Sequence, residues 1–167
     1  MEDFDLGISG LGPSLITPEG YKNLQAELEH LTVVKRGEIA ERLRESKNHG
    51  EFSEDNSELD EVKSEQAIVE NRINALKALF ATAQILELDS VPTEYVGIGS
   101  WVKVKDLDRP VEFEVRIVSS FEADPDEDLI SYESPMGTSL YGKKVGEDAI
   151  FNAPAGKIRY QVVSIRR

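Results

Sequence analysis

Two long segments in the first half of the chain carry narrow apolar stripes at helical spacing, and they constrain the fold more than any other feature. At the start of the first segment, Thr17, Pro18 and Glu19 suit the cap, the first position and the positive end of a helix. The second helix is predicted over residues 57–84. Because each stripe is narrow, each helix can bury it only against the other helix or a third partner. The short connection predicts an antiparallel hairpin, whose arms of about 30 residues would extend roughly 45 Å.

The two stripes differ in regularity. The first consists of Tyr21, Leu24, Leu28, Leu31, Val34, Ile39 and Leu43, and the second of Val62, Val69, Ile73, Leu76, Phe80 and Ala83. The second stripe keeps the spacing of a coiled-coil seam. The first slips between Val34 and Ile39, so we expect its seam to depart from a perfect heptad.

After residue 99 the apolar pattern changes to a period of two, which is typical of strands. The alternation covers residues 101–105, 111–117 and 158–165, and turns rich in Asp, Pro and Gly separate these stretches. A turn is predicted at residues 134–137, and a short helix at residues 139–142. This half of the chain is therefore predicted to be a small antiparallel β-sheet with one short helix.

These patterns predict an α+β chain in four parts. Residues 1–15, with several glycines, form a flexible N-terminal extension. Residues 16–88 form the α-helical coiled-coil hairpin, residues 89–98 a linker, and residues 99–167 the sheet domain.

Composition excludes several classes of protein. The chain has 167 residues, no cysteine and a formal net charge of -13. The lack of cysteine rules out disulfides, thiolate metal sites and cysteine nucleophiles. No apolar run approaches the roughly 20 residues that cross a bilayer, and the acidic first 15 residues do not resemble a secretory signal, so we expect a cytoplasmic protein. The negative charge argues against free-standing nucleic-acid binding, which needs cations to neutralise phosphates.

The connection between the helices concentrates acids. Residues 51–61 contain Glu51, Glu54, Asp55, Glu58, Asp60 and Glu61, with no Lys or Arg. Gly50 can end the first helix and Ser53 or Ser57 can cap the second, so these acids would gather at the end of the hairpin. Hard carboxylate oxygens suit Mg²⁺ or Mn²⁺, and two or three of them would make half of a metal site that is completed elsewhere. A solvated, helix-capping loop is the other interpretation, and composition alone favours it because acidic runs are common on surfaces.

Short motifs along residues 16–167 occur in a consistent order and spacing. Residues 16–21 read Ile-Thr-Pro-Glu-Gly-Tyr, and residues 49–54 read His-Gly-Glu-Phe-Ser-Glu. Further matches are Leu24, Glu27, Leu28, Asn56, Glu58, Lys63, Glu65, Gln66, Arg72, Ile73, Tyr160 and residues 83–85, 99–100, 122–124, 130–131, 134–135, 142–143 and 154–156. Together they resemble the Gre family of transcript elongation factors, whose hairpin tip reads His-Gly-Asp-Leu-Ser-Glu.

The resemblance implies a fold, a partner and an activity. The sheet domain would be FKBP-like and would bind bacterial RNA polymerase at the rim of its secondary channel. The hairpin of this monomeric protein would enter the channel and stimulate cleavage of backtracked nascent RNA near its 3′ end, by the active site of the polymerase. The chain would thus be a cofactor protein and not itself an enzyme, and no membrane would be involved. Its acidity is compatible with this role, because the polymerase supplies the nucleic-acid contact.

The resemblance also implies site residues. Glu51 stands at the position of the first tip Asp of the family and Glu54 at that of its Glu. Both would hold Mg²⁺ jointly with the polymerase and orient the attacking water in two-metal hydrolysis. Lys47 and Lys63 match a small basic patch that contacts RNA, although each could also be a plain surface charge. The weak basic patch favours the less basic branch of the family.

Two departures from the family pattern leave an alternative open. Glu51 is longer than Asp by one methylene, and about 1 Å of misplacement can cost on the order of 10²-fold in rate. Residues 50–66 are one residue longer than the family run, with Asp55 as the simplest insertion. The leading alternative is therefore a Gre-like homologue that inhibits the polymerase through an altered acidic tip.

Two alternatives from other classes fit the sequence less well. A coiled-coil adaptor or chaperone would not need acids concentrated at one end of the hairpin. A prolyl isomerase would need an aromatic-lined pocket, which the sequence does not indicate.

Overall fold

The structure, a computed structural model, describes residues 14–50 and 57–167, with the backbone alone at residues 49 and 50. The described residues form two compact units. The hairpin unit is Lys22–Thr82, and the sheet unit combines Ala83–Arg167 with the described residues before Lys22. Of the predicted flexible extension, residues 1–13 lie outside the described residues.

The hairpin consists of two helical arms. The first arm comprises α1 (Pro18–Glu29), a π-helical turn (His30–Lys35) and α2 (Arg36–Gly50), and the second arm is α3 (Ser57–Thr82). Ion pairs join Glu27 to Arg72 and Arg42 to Glu65, so residue numbers rise along one arm as they fall along the other. The arms are therefore antiparallel, which confirms the predicted helical hairpin.

The seam between the arms is the apolar core of the hairpin unit. Its buried residues on α3 include Val62, Val69, Ile73 and Leu76, and the first arm contributes Leu24, Leu28, Leu31, Ile39 and Leu43. The predicted stripe is wrong at Val34, whose side chain is 42% exposed. The reason is the π turn, which places Val34 beside the seam instead of in it.

A small parallel pair of strands belongs to the sheet unit. β1 (Leu15–Ile16) lies beside β2 (Gln84–Ile85), with Leu15 opposite Gln84. The chain then passes through a 3₁₀ turn at Leu88–Ser90 before it enters the main sheet. In this segment the side chains of Val91 and Val96 are buried, so residues 89–98 pack into the sheet unit.

The main sheet has five strands in the order β5-β4-β3-β7-β6. They are β3 (Trp101–Asp106), β4 (Glu112–Val118), β5 (Leu129–Ser131), β6 (Asp148–Ala153) and β7 (Gly156–Arg166). The pairs β3–β4, β3–β7 and β6–β7 are antiparallel, as predicted. β5 runs parallel to β4, because the connection over residues 119–128 is long enough to bring the chain back to the starting end of β4. The sheet is therefore mixed, and the prediction of a wholly antiparallel sheet is wrong at this edge.

One face of the sheet packs under the short helix α4 (Pro135–Leu140). The buried cluster is Val96, Val102, Val104, Val115, Ile117, Leu140, Ala149 and Val162. The predicted short helix is present, but it starts at Pro135 and not at Ser139, and the turn predicted at residues 134–137 is wrong. Ser134 accepts a hydrogen bond from the Gly137 N–H at 3.0 Å and Pro135 occupies the first turn, so these residues start the helix. None of the helices in the described ranges is long and apolar enough to span a membrane.

Candidate functional site

The predicted acidic site falls partly outside the described residues. Glu51 and Glu54 fall in the gap between residues 50 and 57, outside the described residues. The acids that follow, Glu58, Asp60 and Glu61, are exposed on the first two turns of α3. Carboxylates in this position are stabilised by the positive end of the helix dipole. Within residues 14–50 and 57–167, no group of three or more His, Asp or Glu side chains is arranged to hold a metal ion.

Lys47 and Lys63 are both exposed, on α2 and α3 respectively. Lys47 is in the last turn before Gly50, and Lys63 lies two turns into α3. Neither ammonium group has an ion-pair partner among the residues that the structure describes. Two cations without partners near an acidic connection can contact phosphate without breaking an existing ion pair.

Packing of the seam fixes the helix ends that carry these side chains. Ser46, next to Lys47, is only 2% exposed, and Val62, next to Lys63, is fully buried. Ile39 packs with Val62 in the same cluster. Because the seam continues to Ser46 on one arm and Val62 on the other, both arms are held in place close to the point where the acidic residues begin.

A second candidate surface is an apolar groove in the sheet unit, with a cavity volume of about 370 Å³. Among its lining residues are Leu129, Ile130, Pro135, Met136, Phe151 and Pro154. Residues 124–128, Asp-Pro-Asp-Glu-Asp, place four exposed acids around Pro125, which also lines the groove. The groove can therefore accept an apolar side chain and favours positive charge around it.

The groove was not predicted from the sequence. Four motifs that resemble the family lie at residues 122–124, 130–131, 134–135 and 154–156, and the sequence does not indicate that they meet. Six groove-lining residues come from these four motifs, namely Ala123, Ile130, Ser131, Ser134, Pro135 and Pro154. The signal in the sequence was thus the set of separate family-like motifs, and the fold brings them together in the groove.

Glu122 ties the start of α1 to the sheet unit. Its carboxylate accepts one hydrogen bond from the Thr17 N–H at 3.1 Å and another from the Thr17 hydroxyl. The Thr17 hydroxyl oxygen accepts from the Gly20 N–H at 3.0 Å, which confirms Thr17 as the predicted cap. Burial raises the pKa of Glu122, and the hydrogen bonds from Thr17 offset only part of that effect. A Cβ on Gly20 would lie 1.8 Å from the Glu122 carboxylate, so this close approach requires glycine.

The helical hairpin with an acid-rich connection and the separate sheet unit correspond to two family profiles. Residues 14–85 match the profile described as "Transcription elongation factor, N-terminal". Residues 91–167 match the one described as "Transcription elongation factor, GreA/GreB, C-term". The chain therefore belongs to the GreA/GreB family of transcription elongation factors, which confirms the resemblance drawn from the sequence.

Individual relatives refine this placement. The chain is 47% identical to the transcription elongation factor GreA of Clostridium kluyveri over 160 residues, which cover 96% of this chain and 100% of that one. It is 45% identical to GreA of Caldanaerobacter subterraneus subsp. tengcongensis over 155 residues, 93% of this chain and 98% of the relative. Among solved structures, the GreA factor homolog Gfh1 of Thermus thermophilus is 32% identical, with 93% of this chain and 99% of that chain covered and a TM-score of 0.43.

Proposed function

We propose that this chain is a transcript-cleavage factor that works on bacterial RNA polymerase. In this proposal the sheet unit binds the rim of the secondary channel. The hairpin enters the channel, and its acidic end stimulates cleavage of backtracked nascent RNA by the active site of the polymerase. The observation that carries the proposal is the seam, which holds both arms of the hairpin up to the residues that flank the acidic segment.

The net charge of the chain supports a role within a complex with the polymerase and argues against binding to free nucleic acid. With a formal net charge of -13, the isolated chain is repelled by the phosphates of RNA and DNA. The exposed Lys47 and Lys63 are too few for independent binding, but they can contact one or two phosphates of an RNA that the polymerase already holds. The factor would thus reach the RNA only when it is bound to the polymerase.

The sheet-unit groove is the proposed docking surface for the polymerase. Its apolar lining around Met136 and Phe151 would take one or two apolar side chains, and the acids of residues 124–128 would face basic residues on the rim of the channel. Such charge pairing mainly speeds and orients association, so binding should weaken as the salt concentration rises.

The chemistry is assigned to Glu51 and Glu54. Carboxylate oxygens are the donors that Mg²⁺ prefers, and two of them are too few to hold the ion without further ligands from the polymerase. A bound Mg²⁺ would stabilise the attacking and leaving oxygens of phosphodiester hydrolysis. Glu51 would contribute a ligand, and Glu54 would support it or accept a hydrogen bond from the attacking water.

The test is RNA cleavage in a backtracked elongation complex of the cognate polymerase, with and without this protein. We expect short 3′ fragments to appear faster, and the remaining transcript to be extendable. Glu54→Ala should abolish this stimulation while the concentration for half-maximal polymerase binding stays nearly unchanged. Glu45→Ala, which removes an exposed carboxylate of α2 away from the acidic segment, is the matched control and should behave like the parent. Equal loss of binding and cleavage in Glu54→Ala would contradict the assigned role.

The inhibitory alternative makes the opposite prediction in the same assay. It requires slower nucleotide addition and no acceleration of cleavage. The relatives named GreA are 45–47% identical over nearly the whole chain, and this similarity favours the cleavage factor.

A further inference from the structure

The first arm of the hairpin contains one residue more than a continuous seam needs. Its inward-facing residues are Leu24, Leu28, Leu31, Ile39, Leu43 and Ser46. Their successive spacings are 4, 3, 8, 4 and 3 residues. A coiled-coil seam alternates steps of three and four, so the step from Leu31 to Ile39 should be seven residues. The excess is a single residue, and it falls between these two positions.

The second arm shows no such excess. From Val62 to Leu76, the stretch opposite α2 and the π turn, the buried residues Val62, Val69, Ile73 and Leu76 follow one another at steps of 7, 4 and 3 residues, as a continuous heptad requires. The next buried residue, Leu79, follows after three more. One extra residue in an α-helix turns everything beyond it by about 100°. Without compensation, Ile39 and the rest of α2 would therefore face away from α3.

The π turn removes this mismatch. It occupies His30–Lys35, which includes Leu31 and ends before Ile39, and the Arg36 N–H donates to the Leu31 carbonyl five residues earlier instead of four. A turn closed in this way holds one residue more than an α-helical turn. The extra residue is directed outward, since Val33 is 69% exposed.

Side-chain hydrogen bonding supports the turn. The Thr32 hydroxyl donates to the Leu28 carbonyl at 2.8 Å and lies 3.1 Å from the Glu29 carbonyl oxygen. These carbonyls lie where the backbone pattern changes from α to π. A threonine hydroxyl bonded back along the helix in this way slightly weakens regular α geometry and often bends the helix, so a local departure from that geometry costs less here.

We infer that the π turn sets the direction of the last turn of α2: it restores the phase of α2 against α3 and thereby fixes the angle at which this turn, up to Gly50, faces α3. This inference rests on the proposed function, because the angle matters only if Glu51 and Glu54 must meet a fixed target. Val33 is then a spacer whose own side chain is not needed.

Two matched single-residue deletions test the inference in the full-length protein. Deletion of Val33 removes the excess, so an ordinary α-helical turn can replace the π turn and every seam residue keeps its direction. Deletion of the exposed Ala67 removes a residue from α3, which has no excess to lose, and turns the two halves of that arm relative to each other by about 100°. We expect cleavage at saturating factor to be unchanged without Val33 and to fall on the order of 100-fold without Ala67. Polymerase binding should stay the same in both variants, since the sheet unit is untouched.

A second readout does not depend on cleavage. Because the chain has no cysteine, thiol cross-linking reports only on introduced pairs. Arg42→Cys with Glu65→Cys, and separately Glu27→Cys with Arg72→Cys, replace ion pairs that join the arms on either side of the π turn. A short bismaleimide should link both pairs in the parent and after deletion of Val33, whereas deletion of Ala67 should lose at least one link.

The outcomes separate the two proposals. If the parent stimulates no cleavage, the proposed function fails, and the cross-links still decide the role of the π turn. If deletion of Val33 unfolds the hairpin, breaks the cross-links or slows cleavage as much as deletion of Ala67, the π turn does more than correct the phase and the inference is wrong. Full activity without Ala67 would also overturn it, because the angle of the hairpin end would then be irrelevant.

Discussion

The hairpin unit and the sheet unit are stabilised in different ways. The hairpin buries a single line of side chains between two helices, and ion pairs such as Glu27–Arg72 flank that line. The sheet unit instead buries a cluster of side chains that come from β3, β4, β6, β7 and α4. A thin seam can be interrupted at any point along its length, whereas a compact cluster is lost as a whole. The hairpin, which is proposed to reach the RNA, is thus the unit that is more easily unfolded locally.

The largest effects should come from removing one buried isoleucine in each unit. Ile73 in the seam and Ile117 in the sheet are both fully buried, so either change to Ala should cost about 2–5 kcal/mol of stability. Hydrogen exchange measured peptide by peptide should speed up mainly in α3 for Ile73→Ala. It should speed up throughout the sheet unit for Ile117→Ala. If both variants accelerate exchange equally in both units, the two regions unfold together and the comparison fails.

Changing one glycine to alanine in each unit should alter stability by smaller amounts and in opposite directions. A Cβ on Gly137 would lie 1.9 Å from the Ser131 carbonyl oxygen, so Gly137→Ala must move α4 away from β5 and should destabilise the sheet unit by about 1–3 kcal/mol. Gly37 in α2 has open space around the same position. Gly37→Ala should therefore stabilise the hairpin by roughly 0.5–1 kcal/mol through helix propensity. Thermal unfolding of the two variants checks both signs, and a loss of stability in Gly37→Ala would show that this part of α2 is not an ordinary helix.

The contrast between the units also explains how much the sequence could predict. The helices of the hairpin follow from local signals, namely the cap at Thr17, the stripes and the acidic connection. The irregular spacing after Val34 is visible in the sequence. The π turn that compensates for it forms because α2 must keep its apolar side chains packed against α3, and the sequence of the first arm alone does not show this. The direction of β5 and the place of α4 were mispredicted because they depend on packing between distant segments.

The two candidate surfaces were predictable to different degrees. The six acids of residues 51–61 lie within one short stretch of the sequence, so their grouping is visible without a structure. The groove combines residues 123–136 with residues 151–154, and only the fold brings these together. Glu122 likewise accepts a hydrogen bond from Thr17, which lies 105 residues away in the sequence, and no local sequence pattern predicts that hydrogen bond. The roles of Glu51 and Glu54 stay predictions.

Glu122 should give the sheet unit a distinctive dependence on pH. Burial raises the pKa of its carboxyl group, whereas an unfolded glutamate titrates at the ordinary value. Between these two pKa values the folded protein keeps a proton that the unfolded chain releases, so this group makes stability fall as pH rises through that window. Asp108 and Glu114 act in the opposite direction, because hydrogen bonds from Arg159 and Arg166 lower their pKa values.

The effect of Glu122 is therefore measured as a difference between two proteins. Glu122→Gln cannot titrate, and it also replaces one of the two oxygens that accept from Thr17, so it should be less stable than the parent at every pH. The gap between the two unfolding free energies should narrow as pH rises above the ordinary glutamate pKa. A gap that widens over this range would mean that the pKa of Glu122 is lowered.

The smallest expected effect belongs to the ion pairs along the hairpin. Arg72 donates to Glu27 through Nε at 2.6 Å and through a terminal nitrogen at 3.0 Å, and this hydrogen bonding raises the pKa of Arg72. Both side chains remain more than one third exposed, so water and salt screen their attraction. A double-mutant cycle with Glu27→Ala and Arg72→Ala should give a coupling energy of about 0.5 kcal/mol that shrinks as salt is added. A coupling energy of about 2 kcal/mol or more that does not change with salt concentration would mean that ion pairs, and not the apolar seam, hold the arms together.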